Sequence, residues 1–333
     1  MQIKYRLTNY LGSGAYGTVA KALDFKWGNT VAVKTSSCID VAFQESEILN
    51  FLSPSRYVVQ ILGWGKAEIV QGCFLKETTK NNVTADEIAY IAMEFMDMDL
   101  LSFINKYIHG GYSYNNYYFS NNGPELVKGL MWELCCGVAY CHDMGVAHRD
   151  LKPSNCLLSI SKEGAIKIKL ADFGLATMVK DKRNGLKERN GKEYVSLWYR
   201  APELLMQQNT YNCFAIDVWA LGCIFAEMVI GEPIFCGQCP EEQLNLVFQH
   251  VGGSFFQMIT TLVRLLSRHC LSSFDLQNRL ESTAQMMGYS IGMDLLVKML
   301  EVDPNKRLTA KQCLQHPYFS CFHQFNSWSK IPL

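Results

Sequence analysis

The chain has 333 residues, 49% of them hydrophobic and 19% charged, enough apolar material for one large domain or two lobes. Its formal net charge is zero, which argues against a nucleic-acid partner or an acidic membrane surface. Thirteen cysteines are scattered, pairs such as Cys135 and Cys136 lack zinc-ligand spacing, and no basic stretch leading into an apolar core opens the chain.

From the N-terminus, "LGSGAYGTV" gives Gly12-x-Gly14-x-x-Gly17. A dinucleotide-binding version would lead into a helix. Here β-branched, alternating residues follow, which predicts a hairpin tip. Such a tip can lie over phosphates and donate backbone N–H groups, or it can be an ordinary turn; the pattern alone leaves both open. "GTVAKAL" and "NTVAVKT" read as strands around the turn-forming "WGN". Alternation puts Val31 and Val33 on one face and Ala32 and Lys34 on the other. A small Ala leaves room for a flat base, and the Lys two residues on reaches towards phosphates.

"AFQESEILNFL" reads as a short helix, and "EIAYIAMEFM" as a strand ending near Met96. Beyond it, helical spacing takes over. "PELVKGLMWELCCGVAYCH" is predicted as a helix with Pro124 in its first turn. "KETTKNNVTADE" and "HGGYSYNNYYFSNNGP" read as solvated surface insertions. The apolar run from Ala215, "AIDVWALGCIFAEMVIG", is short of a membrane span and carries Asp217 and Glu227. It reads as a helix buried on most sides. The cysteines are taken as reduced, mostly buried thiols of an intracellular protein.

"VAHRDLKPSNCLL" places Asp150, Lys152 and Asn155 within six residues, and "IKIKLADFG" puts Asp172 in the turn after an alternating strand. An Asp accepts a hydroxyl proton and a Lys neutralises developing phosphate charge. Asn and a second Asp supply the hard oxygen ligands that magnesium prefers. Cys141 and His142 lie nearby, but a Cys–His reading lacks a nucleophile signature.

Glycine loop, VAVK, HRDLKPSN, DFG and APE occur in this order, and over almost its whole length the chain resembles a eukaryotic protein kinase. The resemblance implies an α+β, bilobal fold: a small antiparallel-sheet lobe with one helix over 1–96, a larger helical lobe over 97–325, and a short tail over 326–333. It implies ATP and Mg2+, with Lys34 on the α- and β-phosphates and Glu45 as its helix partner in preference to Glu47. Asp150 becomes the catalytic base, Lys152 a neighbour of the transferred group, and Asn155 and Asp172 the metal holders. The nucleotide site would comprise Gly12, Gly14, Tyr16, Gly17, Val19, Ala32, Asp99 and Leu158, with Met93 as gatekeeper and Glu94 and Met96 bonding adenine. His148 and Asp217 would support the catalytic loop, and Glu203 would pair with Arg307.

"SLWYRAPELL" and "DPNKRLTAKQCLQHPYF" resemble the group of cyclin-dependent and mitogen-activated kinases. That likeness implies a substrate pocket at Val195, Ser196 and Arg200 and protein substrates with Ser/Thr-Pro sites, since proline lacks the amide donor. It also implies an activating subunit of unknown identity, although "SSCIDVAFQE" stands where a cyclin-binding helix sequence would be and Lys34 to Glu45 spans only 11 residues. The loop "VKDKRNGLKERNGKE", from Val179 to Glu193, has nine charged side chains and no hydroxyl. Gly191 stands where such kinases carry a phosphorylated Thr, and Gln44 and Thr177 occupy positions of phosphate-gathering arginines. The expectation is a kinase without the usual loop phosphate, in which Asp181, Glu188 or Glu193 pairs with Arg149, or in which the loop is merely solvated. The rival to an active serine/threonine kinase is a catalytically weak scaffold acting through partners.

Overall fold

The computed structural model describes residues 3–14, 17–78, 87–108, 117–162, 164–179, 186–188, 196–251, 287 and 290–322, with 108, 117–122 and 186–188 described by backbone alone. Two compact units emerge: Met1–Asp97 with Leu170–Ala176, and Met98–Lys169 with Thr177–Leu333.

The first unit holds strands β1 (Ile3–Gly14), β2 (Gly17–Asp24), β3 (Thr30–Ser36), β4 (Ile61–Val70), β5 (Phe74–Glu77) and β6 (Ile88–Glu94). All pairings are antiparallel, in the order β1-β2-β3-β6-β4-β5. β1 also pairs with β5, Tyr5 opposite Leu75, so the sheet curls shut into a barrel. The alternation read from the sequence decides what lies inside. Val31 and Val33 join Tyr5, Leu75, Tyr90 and three alanines in one buried cluster, the burial of each valine contributing about 2 kcal/mol. The alanines keep the interior narrow enough for closure. Tyr5 and Tyr90 meet edge to face at 5.6 Å, and the Tyr90 hydroxyl is satisfied by Glu77 and Lys4, both at 2.7 Å.

Helix α1 (Ile39–Phe51) has no Gly or Pro, and it buries Ala42, Glu45, Ser46, Ile48 and Leu49, a stripe at three-and-four spacing. A carboxylate on that stripe needs a partner, which the candidate site supplies.

In the second unit, β7 (Met98–Asp99) leads into a helical turn α2 (Leu100–Phe103), whose first turn is capped by Asp99 accepting from Ser102 N–H at 2.8 Å. Helix α3 runs Tyr117–Met144. Pro124 therefore lies inside it rather than in its first turn, and 117–122, expected as solvated loop, are helical. A Pro there removes one backbone hydrogen bond; the buried stripe Leu126, Val127, Leu130, Met131 and Leu134 anchors the turns that follow.

Next come β8 (Val146–Ala147), β9 (Cys156–Ile160), β10 (Ile166–Leu170), β11 (Thr177–Met178) and β12 (Leu186–Glu188), then α4 (Pro202–Leu205) and β13 (Thr210–Asn212). The β10-β9-β7 sheet and the β11-β8 and β12-β13 pairs are short.

Helix α5 (Cys213–Ile230) is the apolar run predicted as buried: every residue but Phe214 is buried. It is long and apolar enough to cross a membrane, with a mean hydropathy of 2.0, yet 94% of that window lies inside the fold. Asn212 starts it, accepting from the Phe214 and Ala215 amides. Helices α6 (Pro240–His250), α7 (Ser290–Met299) and α8 (Ala310–Leu314) complete the described unit, α8 behind a Thr309–Gln312 capping box. The buried Glu203–Arg307 pair is bidentate at 2.9 and 3.0 Å. Arg307 also donates to the Ala215, Glu301 and Val302 carbonyls, so its charge is fully engaged.

Candidate active site

In the first unit, the polar face of β3 carries the chemistry. Lys34 Nζ lies 2.7 Å from Glu45 Oε2 on α1 and 2.7 Å from Asp172 Oδ1. Lys34 and Glu45 are buried, whereas the Asp172 side chain is 39% exposed. Burial alone would lower the Lys34 pKa, but the two carboxylates outweigh it and raise it. Burial pushes the Glu45 carboxyl up despite Lys34 beside it. Glu47, the alternative partner, is exposed. Asp172 has φ +59°, in the left-handed region that Asp tolerates, and the fully buried Phe173 next to it anchors the turn.

The β1–β2 hairpin sets Gly12 opposite Val19 and Gly14 opposite Gly17. Gly17 has φ +150°, and a Cβ there would stand 2.1 Å from the Thr35 carbonyl oxygen, so only glycine fits. A Cβ on Gly12 or Gly14 would meet nothing within 4 Å. The space over Gly12 and Gly14 is open, as a phosphate-covering loop requires. Val19 pairs with Lys34, and Ala32 with Met93. Glu94 is fixed to Gln60 twice, its N–H donating to the Gln60 carbonyl at 2.9 Å and its Oε1 accepting from the Gln60 N–H at 2.6 Å. Met96 is buried. Tyr16 lies outside the described residues.

In the second unit, Asp217 organises the loop that carries Asp150. Its Oδ2 accepts the His148 N–H and its Oδ1 the Arg149 N–H, each at 2.8 Å, and His142 Nε2 lies 2.9 Å from Oδ2. These bonds hold Arg149 at φ +66° and place Asp150 next. Asp150 Oδ2 accepts from Lys152 Nζ at 2.8 Å and Asn155 Nδ2 at 3.1 Å. Its Oδ1 accepts from the Ser196 N–H at 3.1 Å and the Ser196 hydroxyl at 2.8 Å. Lys152 Nζ also donates to Ser196 Oγ at 2.9 Å. Ser196, expected in the substrate pocket, thus touches the candidate base directly. Of the other pocket residues, Arg200 is half-buried and Val195 lies outside the described residues.

Asn155 Nδ2 also donates to the Asp150 carbonyl at 2.8 Å. Its amide nitrogen is occupied, which leaves Oδ1 as the side chain's neutral acceptor. Asn155 Oδ1 in this unit and the Asp172 carboxylate in the first are hard oxygen donors of the kind magnesium takes. The donor chemistry fits. Asp99 caps α2 with both oxygens, Oδ2 accepting the Ser102 hydroxyl at 3.0 Å. Leu158 is fully buried opposite Met98.

The Cys–His alternative fails on chemistry. Burial pushes the Cys141 thiol far up, and His142 is engaged by Asp217. Of the charged loop, β12 is a strand antiparallel to β13, with Lys187 opposite Tyr211. Asp181, Glu193 and the Glu188 side chain lie outside the description. Arg149 Nη1 donates to the Tyr211 hydroxyl at 3.2 Å, a contact the sequence did not suggest.

The sequence matches the protein kinase domain family over residues 5–319. It is 35% identical to cyclin-dependent kinase B1-1 of Arabidopsis thaliana over 323 residues, 95% of this chain and 97% of that one. It is 32% identical to cyclin-dependent kinase B2-1 of Oryza sativa subsp. japonica over 329 residues, covering 95% and 90%. Cell division control protein 2 homolog C of Antirrhinum majus is 34% identical over 323 residues, covering 95% and 97%. The chain belongs to the protein kinase family. Within it, the chain is a serine/threonine protein kinase of the group that contains the cyclin-dependent kinases.

Proposed function

We propose that this kinase transfers the γ-phosphoryl group of Mg-ATP to Ser or Thr hydroxyls that precede proline in other proteins. The observation that carries the reading is the Asp150 carboxylate, held through both oxygens by Lys152, Asn155 and Ser196. So fixed, Asp150 accepts the proton of the attacking hydroxyl. Lys152 answers the negative charge that develops beside it, and Ser196 fixes both. Lys34, oriented by Glu45, binds the α- and β-phosphates beneath Gly12 and Gly14. Met93 closes the back of the base site, and the Glu94 and Met96 backbone bonds its edge, beside Val19 and Ala32. Magnesium on Asn155 and Asp172 would neutralise phosphate charge. Arg200 behind the pocket at Val195 and Ser196 would favour a residue without an amide hydrogen.

Two of these relatives are named cyclin-dependent kinases, and an activating protein subunit is carried to this chain on that ground. It would bear on α1, where exposed Phe43 meets Trp64 edge to face at 5.2 Å beside a 330 Å³ cavity. Among the twelve described cysteines none is disulfide-bonded, which supports work in a reducing intracellular compartment. A peptide library assayed with the purified chain, alone and with cell extract, tests the specificity. Ser-Pro peptides phosphorylated at least tenfold better than Ser-Ala peptides support it; equal rates overturn the proline preference.

A further inference from the structure

Ahead of α6 the chain reads Cys236-Gly237-Gln238-Cys239-Pro240, two cysteines three residues apart. The catalytic arrangement uses neither. Of the twelve described cysteines six are buried, and burial pushes the thiols of Cys141, Cys156 and Cys223 up, away from thiolate chemistry at neutral pH. Four are exposed: Cys38, Cys236, Cys239 and Cys321. Only Cys236 and Cys239 are neighbours in the chain.

The segment between them is tied at each residue. The Cys236 thiol donates to the Pro233 carbonyl at 3.3 Å. The Gly237 N–H donates to Gln243 Oε1 at 2.8 Å, and its carbonyl accepts the Trp198 indole N–H at 3.1 Å. The Gln238 N–H donates to Glu242 Oε2 at 2.8 Å. Cys239 caps α6, its carbonyl accepting the Gln243 N–H at 2.9 Å. The Glu241 carboxyl is held below the usual carboxylate range, first by its own backbone amide and then by the Cys239 thiol near it. A Cβ on Gly237 would stand 2.5 Å from the Gln243 nitrogen, so the segment folds tightly back on the first turn of α6. Gly237 therefore sits between two exposed thiols and anchors Trp198, two residues beyond the Ser196 that touches Asp150 and Lys152.

We propose that Cys236 and Cys239 are a peroxide-sensitive dithiol, and that their disulfide loosens the Trp198 anchor of the peptide-binding segment. One thiolate attacks hydrogen peroxide; an S–O bond forms, the O–O bond breaks, and the departing hydroxide takes a proton to leave as water. The second thiolate attacks the resulting sulfenic sulfur; the S–S bond forms, the S–O bond breaks, and a second water leaves. Two thiols are oxidised, one peroxide is reduced, and a dithiol reductant reverses the change by exchange. A bonded pair of sulfurs lies about 2.05 Å apart. Cys236 must then give up the Pro233 carbonyl and turn towards residue 239, carrying Gly237 with it.

The disulfide rests on the spacing and exposure of Cys236 and Cys239 and on the tight turn that joins them, while its effect on peptide binding rests on the protein-kinase reading. The test treats the full chain with hydrogen peroxide, blocks remaining thiols, and maps peptides by non-reducing mass spectrometry beside steady-state kinetics. A Cys236–Cys239 link reversed by dithiothreitol is expected. With it, peptide KM should rise about fivefold, the scale of one neutral hydrogen bond lost, while kcat and ATP KM stay within about twofold. C236S and C239S should each keep the reduced-state KM and ignore peroxide. Recovery of both thiols unlinked, or separately over-oxidised, overturns the proposal. So does a linked chain whose peptide KM equals that of C236S. A chain that links but phosphorylates no peptide under any condition counts against the kinase reading, with the dithiol upheld.

Discussion

Replacing Asp217 by Asn tests how the catalytic loop is held. The Asp217 carboxylate accepts two backbone amides, one on each oxygen, both at 2.8 Å and both in the buried His148–Arg149 turn. Asn has one acceptor oxygen, so one amide must face an NH2 group. Losing one charge-assisted hydrogen bond costs about 1.5–3 kcal/mol, and leaving a buried N–H unpaired adds about 1–3 kcal/mol. The same turn holds Arg149 at φ +66°, a conformation that itself costs about 1–2 kcal/mol. A loss of roughly 3–4 kcal/mol in holding Asp150 corresponds to about 10²–10³ in rate. The assay is kcat at saturating ATP and peptide, with nucleotide affinity measured alongside. Affinity should stay near the parent value, because Lys34, Glu45 and Asp172 belong to the other unit. A folded D217N chain with kcat within about threefold of the parent would refute the reasoning.

Burial raises the Glu227 carboxyl to about 7 while it accepts the Tyr199 hydroxyl at 2.7 Å. A folded pKa above the unfolded value of 4.5 means stability that is full below about 4.5 and lost as pH rises through about 7, on the order of 3 kcal/mol. Melting curves at pH 5 and pH 8 should show that fall in the parent and much less of it in E227Q; equal falls contradict it. Arg307→Met strands the buried Glu203 and should cost about 3–5 kcal/mol by chemical denaturation, with E203M/R307M recovering part of it; a double variant no better than the single would be contrary. Gly17→Ala drives a Cβ into the Thr35 carbonyl and should lower the melting temperature and weaken ATP binding together; an unchanged melting temperature would oppose this.

Local patterns were legible in the sequence because they are set within a few residues. Alternation in "TVAVK" correctly separated Val31 and Val33 from Lys34, and the resemblance of "ESEIL" to the kinase helix favoured Glu45 over Glu47 as the lysine's partner. The barrel closure was not legible, since it pairs Ile3 with Lys76 through backbone groups that carry no side-chain signature. Ser196 was placed in the substrate pocket, whereas its bonds to Asp150 span 46 residues and involve a side chain equally at home in solvent. The β12 strand hid inside a charged stretch because its pairing with β13 is a backbone matter. Pro124 misled because a proline usually marks a first turn, and here the helix runs through it.

The central claim is that the fixed carboxylate of Asp150 serves phosphoryl transfer to a protein hydroxyl. Label transfer from γ-labelled ATP with magnesium to a Ser-Pro peptide, by the parent chain and D150N with any required activator present, tests it most directly. Labelling by the parent, and a loss of at least about 10²-fold in D150N with nucleotide binding intact, is the predicted result. Equal labelling by both, or none by a parent chain that binds ATP, would contradict it.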